Sequence, residues 1–509
     1  MPIIFGMIKN LAHYFICLVL GVVLSFSQAP YHLWFLIFPV FSGFYYIFTK
    51  MDTKRGVFLA SFLFAIGYFV TGLNWIGNAL LVEGNEYRWV WPLAVIALPT
   101  LLSVFTALFM TVAHIISHKK HALGFLAFCS ALALSEFTRG YIFTGFPWNL
   151  FGYTWLGLMS IAQFVSVIGP YGLTFLTIFW GASLGYLYIH KKQAFLMSSI
   201  SILIFAVVFT YGFLRISHNV VEFNEDVQIR IVQPNIAQAE KWKPSRLADN
   251  FETHLMLSEG KNNDKKTIIV WPETAIPPSL IYSLTAKERF KNLLNDQTIL
   301  LAGGLSITSA AESKQREYHN ALFLMDSINP PDRVYNKSHL VPFGEYIPFQ
   351  EYLTFIKPVV DFAGFNQGRG ATTINIEGFP SFSPQICYEI IFPNRAINKK
   401  QNRPDYILTV TNDAWYGDSA GPRQHFSIAR FRAIEQGLPV IRSANTGISG
   451  VIDPWGRIID KIPLLESGNI ESLLPNPLAE TTLYSRFGDI FFYFTCLFWL
   501  FFAFFHRKM

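Results

Sequence analysis

The chain has 509 residues, of which 52% are hydrophobic, 17% aromatic and only 15% charged, and its mean hydropathy is +0.33. Soluble globular chains carry about 25% charged residues, so a wholly soluble protein is excluded, as are disordered and collagen-like classes. The net charge of +6 comes without a dense Lys/Arg block, and nucleic-acid binding would need a clustered basic face.

A helix that crosses a bilayer needs roughly 20 mostly apolar residues. Such runs fall at 10–28, 31–49, 56–80, 89–116, 122–143, 161–190, 194–214 and 487–505, predicting an α-helical transmembrane bundle of about eight spans. Ser25, Phe26 and Ser27 loosely fit a signal-peptide cleavage site, but only Lys9 precedes the first run and further apolar runs follow at once. It is therefore read as an uncleaved helix. Ten basic residues flank one set of gaps: Lys9, Lys50, Lys54, Arg55, Lys119, Lys120, Lys191, Lys192, Arg507 and Lys508. The opposite loops carry two, Arg88 and Arg139. The excess of Lys and Arg in cytoplasmic loops then predicts both termini in the cytoplasm and the long segment before the last run outside. Glu136 and Arg139 are three apart and share a helix face; they read as a structural ion pair or as functional intramembrane charges. The segment Gly145-Phe146-Pro147-Trp148-Asn149 reads as an interfacial loop, which could also line a lipid entry path.

Three units follow: a bundle over 1–216, an α/β domain over 217–486, and a last span with a short tail over 487–509. In the middle unit, β-rich runs at Val227–Val232, Thr267–Trp271, Thr298–Ala302, Ala321–Met325, Phe382–Cys387, Tyr406–Val410, Pro439–Ser443 and Gly447–Ile452 alternate with helical patterns at Lys287–Leu294 and His425–Gln436. Strands alternating with helices, mixed with hairpin-like pairs, predict a layered α/β fold.

Candidate chemistry sits at strand ends. Glu273 follows Trp271-Pro272, where proline should end the ladder; it reads equally as a general base or as an acid stabilising a helix N-terminus. Lys337 lies in a polar stretch closed by Pro342 and Gly344, and by itself reads as a surface lysine. Cys17, Cys129 and Cys496 lie in apolar runs, where cysteine is usually a small hydrophobe. Cys387 alone lies in polar sequence. It reads as a buried core thiol or, unpaired in an oxidising compartment, as a reactive one. No CxxC pair or Cys/His cluster supports a metal site, and no glycine-rich phosphate loop is evident.

Glu273, Lys337 and Cys387, in that order and context, resemble the Glu-Lys-Cys triad of the nitrilase (carbon–nitrogen hydrolase) superfamily. Ala429–Gln436 and Ile441–Gly447 resemble it too. The span layout, Gly145–Trp148, Gln233–Ile236 with Trp242, and Asn412–Gly417 extend the likeness to its membrane-embedded branch, the apolipoprotein N-acyltransferases, over nearly the whole chain.

That resemblance implies an αββα sandwich and a ping-pong acyl transfer through a Cys387 thioester. Glu273 would be the base, and Lys337, with a backbone N–H near Tyr388, the oxyanion stabiliser. Glu345 would hold Lys337, Tyr388 and Glu389 would flank the nucleophile, and Trp242, Trp415, Phe146 and Trp148 would meet substrate. Glu389 reads alternatively as part of a salt bridge. The implied partners are a phospholipid donor, a diacylated apolipoprotein acceptor and membrane lipids, with no cofactor, metal or nucleic acid. The chain is expected to act as a monomer in the inner membrane with its catalytic domain periplasmic. Two competing readings are a membrane-anchored amidase that passes its acyl group to water, and a transporter or receptor with a degenerate ectodomain.

Overall fold

The protein is described by a computed structural model covering residues 2–83, 85–116, 122–260, 265–281, 283–309, 316–327, 331–348 and 364–506. Apolar helices stand where the sequence predicts them: α1 (Pro2–Ser25), α2 (Ile37–Lys50), α3 (Lys54–Leu73), α4 (Trp91–Ile116), α5 (Ala122–Arg139), α6 (Val165–His190) and α7 (Phe195–Ser217). Among the described residues five helical stretches are long and apolar enough to cross a bilayer, and Asn10–Ser25 and Ile490–Phe505 are shorter apolar helices. The protein is a multi-pass membrane protein. Lys119, Lys120, Arg507 and Lys508 lie outside the described residues.

Two apolar runs end their α-helix early. The run at 56–80 is α-helical only to Leu73 and tightens into a 3-10 helix over Asn74–Leu81, where Asn74, Gly77 and Asn78 are weak helix formers. The run at 122–143 stops at Arg139, before Gly140, and the chain then takes positive φ at Phe143, Thr144 and Gly145. Both interruptions face the α/β domain.

That domain holds helices α8 (Leu247–Ser258), α9 (Leu284–Leu293) and α10 (Ala420–Gln436); helix α11 (Ile490–Phe505) returns to the bundle. Its strands are β1 (Phe223–Gln233), β2 (Lys266–Ile276), β3 (Thr298–Ser309), β4 (Arg316–Met325), β5 (Asp332–Asn336), β6 (Ile374–Ile376), β7 (Phe379–Ile386), β8 (Tyr406–Thr411), β9 (Val440–Ala444), β10 (Ser449–Ile452), β11 (Ile458–Ile462) and β12 (Gly468–Pro475). They form two six-stranded sheets, ordered β12-β1-β2-β3-β4-β5 and β11-β10-β9-β8-β7-β6. The strands β1 to β3 run parallel, as do β7 to β9, with antiparallel strands outside them. Ile229, Ile231, Ile268 and Val270 of one sheet meet Phe382, Ile386, Leu408 and Val410 of the other. Phe251 and Leu255 of α8 and Phe290 of α9 cover the outer face of the first sheet. The outer face of the second is covered by α10, capped by Ser419 accepting from Gly421 N at 3.1 Å and closed by the left-handed Gly437. This is the expected αββα sandwich.

The helix α10 belongs to two layers. Phe426, Ile428, Phe431 and Ile434 share one continuous apolar core with the bundle residues Trp75, Trp148 and Tyr153.

Candidate active site between sandwich and bundle

Parallel strands direct whatever follows them toward one edge, which is where open α/β sheets hold their ligands. Lys337 directly follows β5, Cys387 follows β7 and Asn412 follows β8. Glu273 departs from the sequence expectation. Pro272 does not end its strand, since β2 continues to Ile276. Pairing with β3 is interrupted between Trp271 and Ile276 instead, and Thr274 takes a φ of +47°. The bulge presses against Gly303, where an added Cβ would lie 2.4 Å from the Pro272 carbonyl oxygen and 2.6 Å from the Glu273 Cα. A bulge re-aims a side chain without losing the strand, and here it re-aims Glu273.

The structure brings the three together. Lys337 is only 1% exposed, so it is no surface lysine. Its Nζ donates to Glu345 Oε1 at 2.8 Å and lies 3.5 Å from Glu273 Oε1. Asn320 Nδ2 donates to Glu273 Oε1 at 2.6 Å, and the Asn412 N–H donates to Glu273 Oε2 at 2.8 Å. Burial alone would lower the Lys337 ammonium, but Glu345, Glu273 and Cys387 outweigh it and hold it above its ordinary value.

Cys387 is buried and carries a φ of +52°, a conformation that costs a non-glycine residue about 1–3 kcal/mol and gathers at functional turns. Burial, then the negative charge of Glu273, push its thiol up to about 12 against the pull of Lys337. Thr411 and Tyr416 hydrogen-bond to the side chain, and the His425 ring lies 3.2 Å from the Cys387 carbonyl oxygen through Nε2. Cys387 is free, as are Cys17, Cys129 and Cys496.

Glu389 takes no part in a salt bridge among the described residues. Its Oε1 accepts from Tyr335 Oη at 2.7 Å, Ser338 N at 2.6 Å, Ser338 Oγ at 2.7 Å and His339 N at 3.0 Å. Its Oε2 accepts from Ile386 N at 2.7 Å. One carboxylate thus fastens the loop after Lys337 to the turn carrying Cys387. Burial pushes that carboxyl upward, and the donors pull it back.

The bundle supplies the floor. Tyr388 Oη donates to the Gly145 carbonyl at 2.8 Å, and the Phe146 ring stacks 5.9 Å from Trp148 and 6.5 Å from Tyr388. Trp148 and Trp75 both donate to Gln424 Oε1, at 2.8 and 3.0 Å. Glu136 and Arg139 form a fully buried ion pair at 2.7 Å. Arg139 also donates to the carbonyls of Phe146 and Trp148 at 2.6 and 2.9 Å, so the pair shapes this loop. Trp415 is half-buried in the turn Asp413–Tyr416, and Trp242 is 39% exposed.

Several participants escaped sequence reasoning. Lys241, beside Trp242, is buried, and its Nζ donates to the Glu273 carbonyl at 2.8 Å and to Thr274 Oγ1 at 2.7 Å. Burial lowers it to about 8. Asn445 Nδ2 donates to Ile236 O at 2.8 Å and to Asn412 Oδ1 at 3.0 Å, lacing the Gln233–Trp242 segment to the site. Beneath Cys387, Asp413 lies 2.8 Å from Arg442 and 2.9 Å from His425. Burial would raise Asp413, yet Arg442 and His425 bring it down to about 2. The runs Asn412–Gly417 and Ile441–Gly447 contained Asn412, Asp413, Arg442 and Asn445 without assigning them a role, and Lys241 carried no local sequence signal. Among the described residues no group of His, Cys, Asp and Glu could hold a metal ion.

Residues 20–183 match the family described as apolipoprotein N-acyltransferase N-terminal domain, and residues 228–475 match carbon–nitrogen hydrolase. An apolipoprotein N-acyltransferase of Rhodopseudomonas palustris is 35% identical over 93% of this chain and 91% of its own. One of Rickettsia prowazekii is 37% identical over 93% and 94%. One of Brucella melitensis is 39% identical over 81% and 79%. A solved amidase from Nesterenkonia sp. aligns with 51% of this chain and 94% of its own, at 18% identity and a TM-score of 0.33. With this identity sustained across both halves of the chain, it belongs to the apolipoprotein N-acyltransferase family.

Proposed function

We propose that the protein moves a fatty acyl chain from a membrane phospholipid to the α-amine of the N-terminal diacylglyceryl-cysteine of an apolipoprotein, through a thioester on Cys387. The carrying observation is the meeting of Glu273, Lys337 and Cys387 in one buried site joined to the bundle through Tyr388 and Gly145. The assigned units are a bundle over 1–216, a catalytic domain over 217–486 and a last span over 487–509. The chain acts as a monomer in the inner membrane, with both termini cytoplasmic and the catalytic domain periplasmic. The distribution of Lys and Arg among the loops supports that orientation.

With its thiol pushed up to about 12, Cys387 rests protonated, and the thiolate forms only as it attacks. Glu273 takes the Sγ proton while the S–C bond forms at the ester carbonyl. Lys337 faces the developing oxyanion, a role typically worth about 3–4 kcal/mol per donor. The tetrahedral adduct collapses, the C–O bond breaks, and the proton on Glu273 goes to the departing lysophospholipid. In the second half the α-amine attacks the thioester carbonyl, Glu273 takes an N–H proton, the C–S bond breaks and Sγ is reprotonated. A free α-amine has a reference pKa of about 7.7–8.0, which leaves a usable neutral fraction near pH 7.

Glu345 holds Lys337, and Trp242, Trp415 and Phe146 meet the lipid chains; Trp148, expected beside them, is 1% exposed and backs the Phe146 ring from within the core instead. Both substrates are anchored in the membrane, so a site held at its surface gains effective concentration without further contacts.

The test is intact-mass measurement of purified protein incubated with phospholipid, with Cys387→Ala beside it. The expected result is a fatty-acyl increment on the wild type, absent from the variant and discharged onto the N-terminus of a diacylated lipopeptide. Discharge to water alone would make the protein a hydrolase. A folded wild type that takes up no acyl group would sink the thioester route.

A further inference from the structure

One cavity lies outside the mechanism. It measures about 470 Å³ and is lined by Arg369, Arg395, Lys399 and Lys400 together with Ser338, His339 and Glu389. Four cations and one carboxylate make it strongly basic, and that carboxylate is already occupied by five donors. Among the described residues none of the four cations is in an ion pair; Asp489 and Glu435 act on Lys399 only at longer range.

Its place in the fold narrows what it takes. The Arg395 guanidinium lies 5.0 Å over the Tyr141 ring and 5.4 Å over Phe392, which fixes its plane. Tyr141 follows the end of α5, and Phe143 beside it is 62% exposed. Across the cavity rim, the Asn394 amide lies against Gly488, just before α11, where Ile490 is 59% exposed. Exposed apolar side chains at the ends of spans face lipid, so the cavity opens at the level of the headgroups. Arginine presents a planar fork that suits phosphate oxygens, while lysine serves as a point charge.

We infer that this cavity binds the phosphodiester of a phospholipid headgroup standing beside α5 and α11. The site is separate from the thiol and does not depend on acyl transfer taking place. It does touch the catalytic loop. The Gly368 N–H, on the segment bearing Arg369, donates to the Lys337 carbonyl at 2.8 Å, and Ser338 and His339 line the wall. A bound headgroup would therefore steady the backbone that carries Lys337.

The experiment uses the full chain with Cys387→Ala, so that no turnover interferes, in detergent micelles under native mass spectrometry. Arg395→Gln, Lys399→Gln and Lys400→Gln are combined in one variant; all three side chains are exposed, and a thermal melt checks that it folds like its parent. Dioleoylphosphatidylglycerol should be retained by the parent and on the order of tenfold or more weakly by the variant, as expected for removing near-surface cations. Dioleoylglycerol, which lacks the phosphate, should not distinguish the two. Equal retention of phosphatidylglycerol by parent and variant would overturn the inference. So would complete displacement of the lipid by millimolar inorganic phosphate, which would make the cavity a free-anion site.

Discussion

The Tyr388 hydroxyl donates 2.8 Å to the carbonyl of Gly145, so the residue after Cys387 is fastened to a loop of the transmembrane bundle. Gly145 has a φ of +87°, and a Cβ there would sit 2.1 Å from the Gly140 carbonyl oxygen, so the acceptor is held in a conformation only glycine fits. Tyr388→Phe keeps the ring beside Phe146 and removes that one bond. The expected loss of stability is about 1 kcal/mol, with a buried acceptor left unpaired. Acyl-enzyme formation should slow by more than the melting shift accounts for, which rapid-quench mass measurement would show. An unchanged rate would mean that the tie is structural only.

Glu389 is a convergence of donors rather than a charge partner. In Glu389→Gln the amide nitrogen cannot accept from the Ile386 N–H, and that clash falls one residue before Cys387. The variant should fold, yet form the acyl enzyme at least tenfold more slowly, a loss corresponding to roughly one to two hydrogen bonds. Wild-type rates in Glu389→Gln would show that the carboxylate does not set the geometry of the thiol.

Lys241 gives a pH signature. Burial sets its ammonium at about 8, below the ordinary 10.5. Because the folded value is the lower one, the unfolded chain binds more protons between these values, and this group makes stability rise with pH from about 8 toward 10.5. Activity should run the other way. Above about 8 the charge that strengthens its bonds to the Glu273 carbonyl and Thr274 is lost. Single-turnover acylation should therefore decline above pH 8, and Lys241→Arg should move that decline upward. A decline at the same pH in both proteins would assign it to another group.

The Glu136–Arg139 pair should resist dissection. Removing one partner of a buried pair costs about 3–5 kcal/mol, and Arg139 also serves the carbonyls of Phe146 and Trp148. Glu136→Gln is expected to lower the melting temperature sharply in detergent. Neutralising either residue without effect would refute the pairing as a stabilising element.

Much of this was legible in the sequence because the signals were local. Apolar runs mark helices, and buried parallel strands such as β2 and β8 read as largely apolar stretches, while β1 alternates apolar residues with Gln228 and Arg230. Strands β5, β6, β11 and β12 were missed; they are the four sheet edges, where polar or charged residues interrupt the apolar pattern. The proline of Trp271-Pro272-Glu273 misled for a related reason: a bulge tolerates what a ladder does not. Lys241 was invisible, and the runs that contain Asn412 and His425 did not reveal what these residues bond to, because such roles exist only across the fold, between segments far apart in the chain.

The helix Ala420–Gln436 buries 14 of its 17 residues, with a sheet on one flank and the spans on the other. Such a helix has no wet side to return to. Cutting the chain at Phe223 and Pro475 would yield a fragment with Phe426, Phe431 and Ile434 bared to water, a surface made for aggregation. The domain therefore has no soluble form: the scaffold of Cys387 and the membrane anchor are halves of one interior, and lipid is a condition for the fold itself.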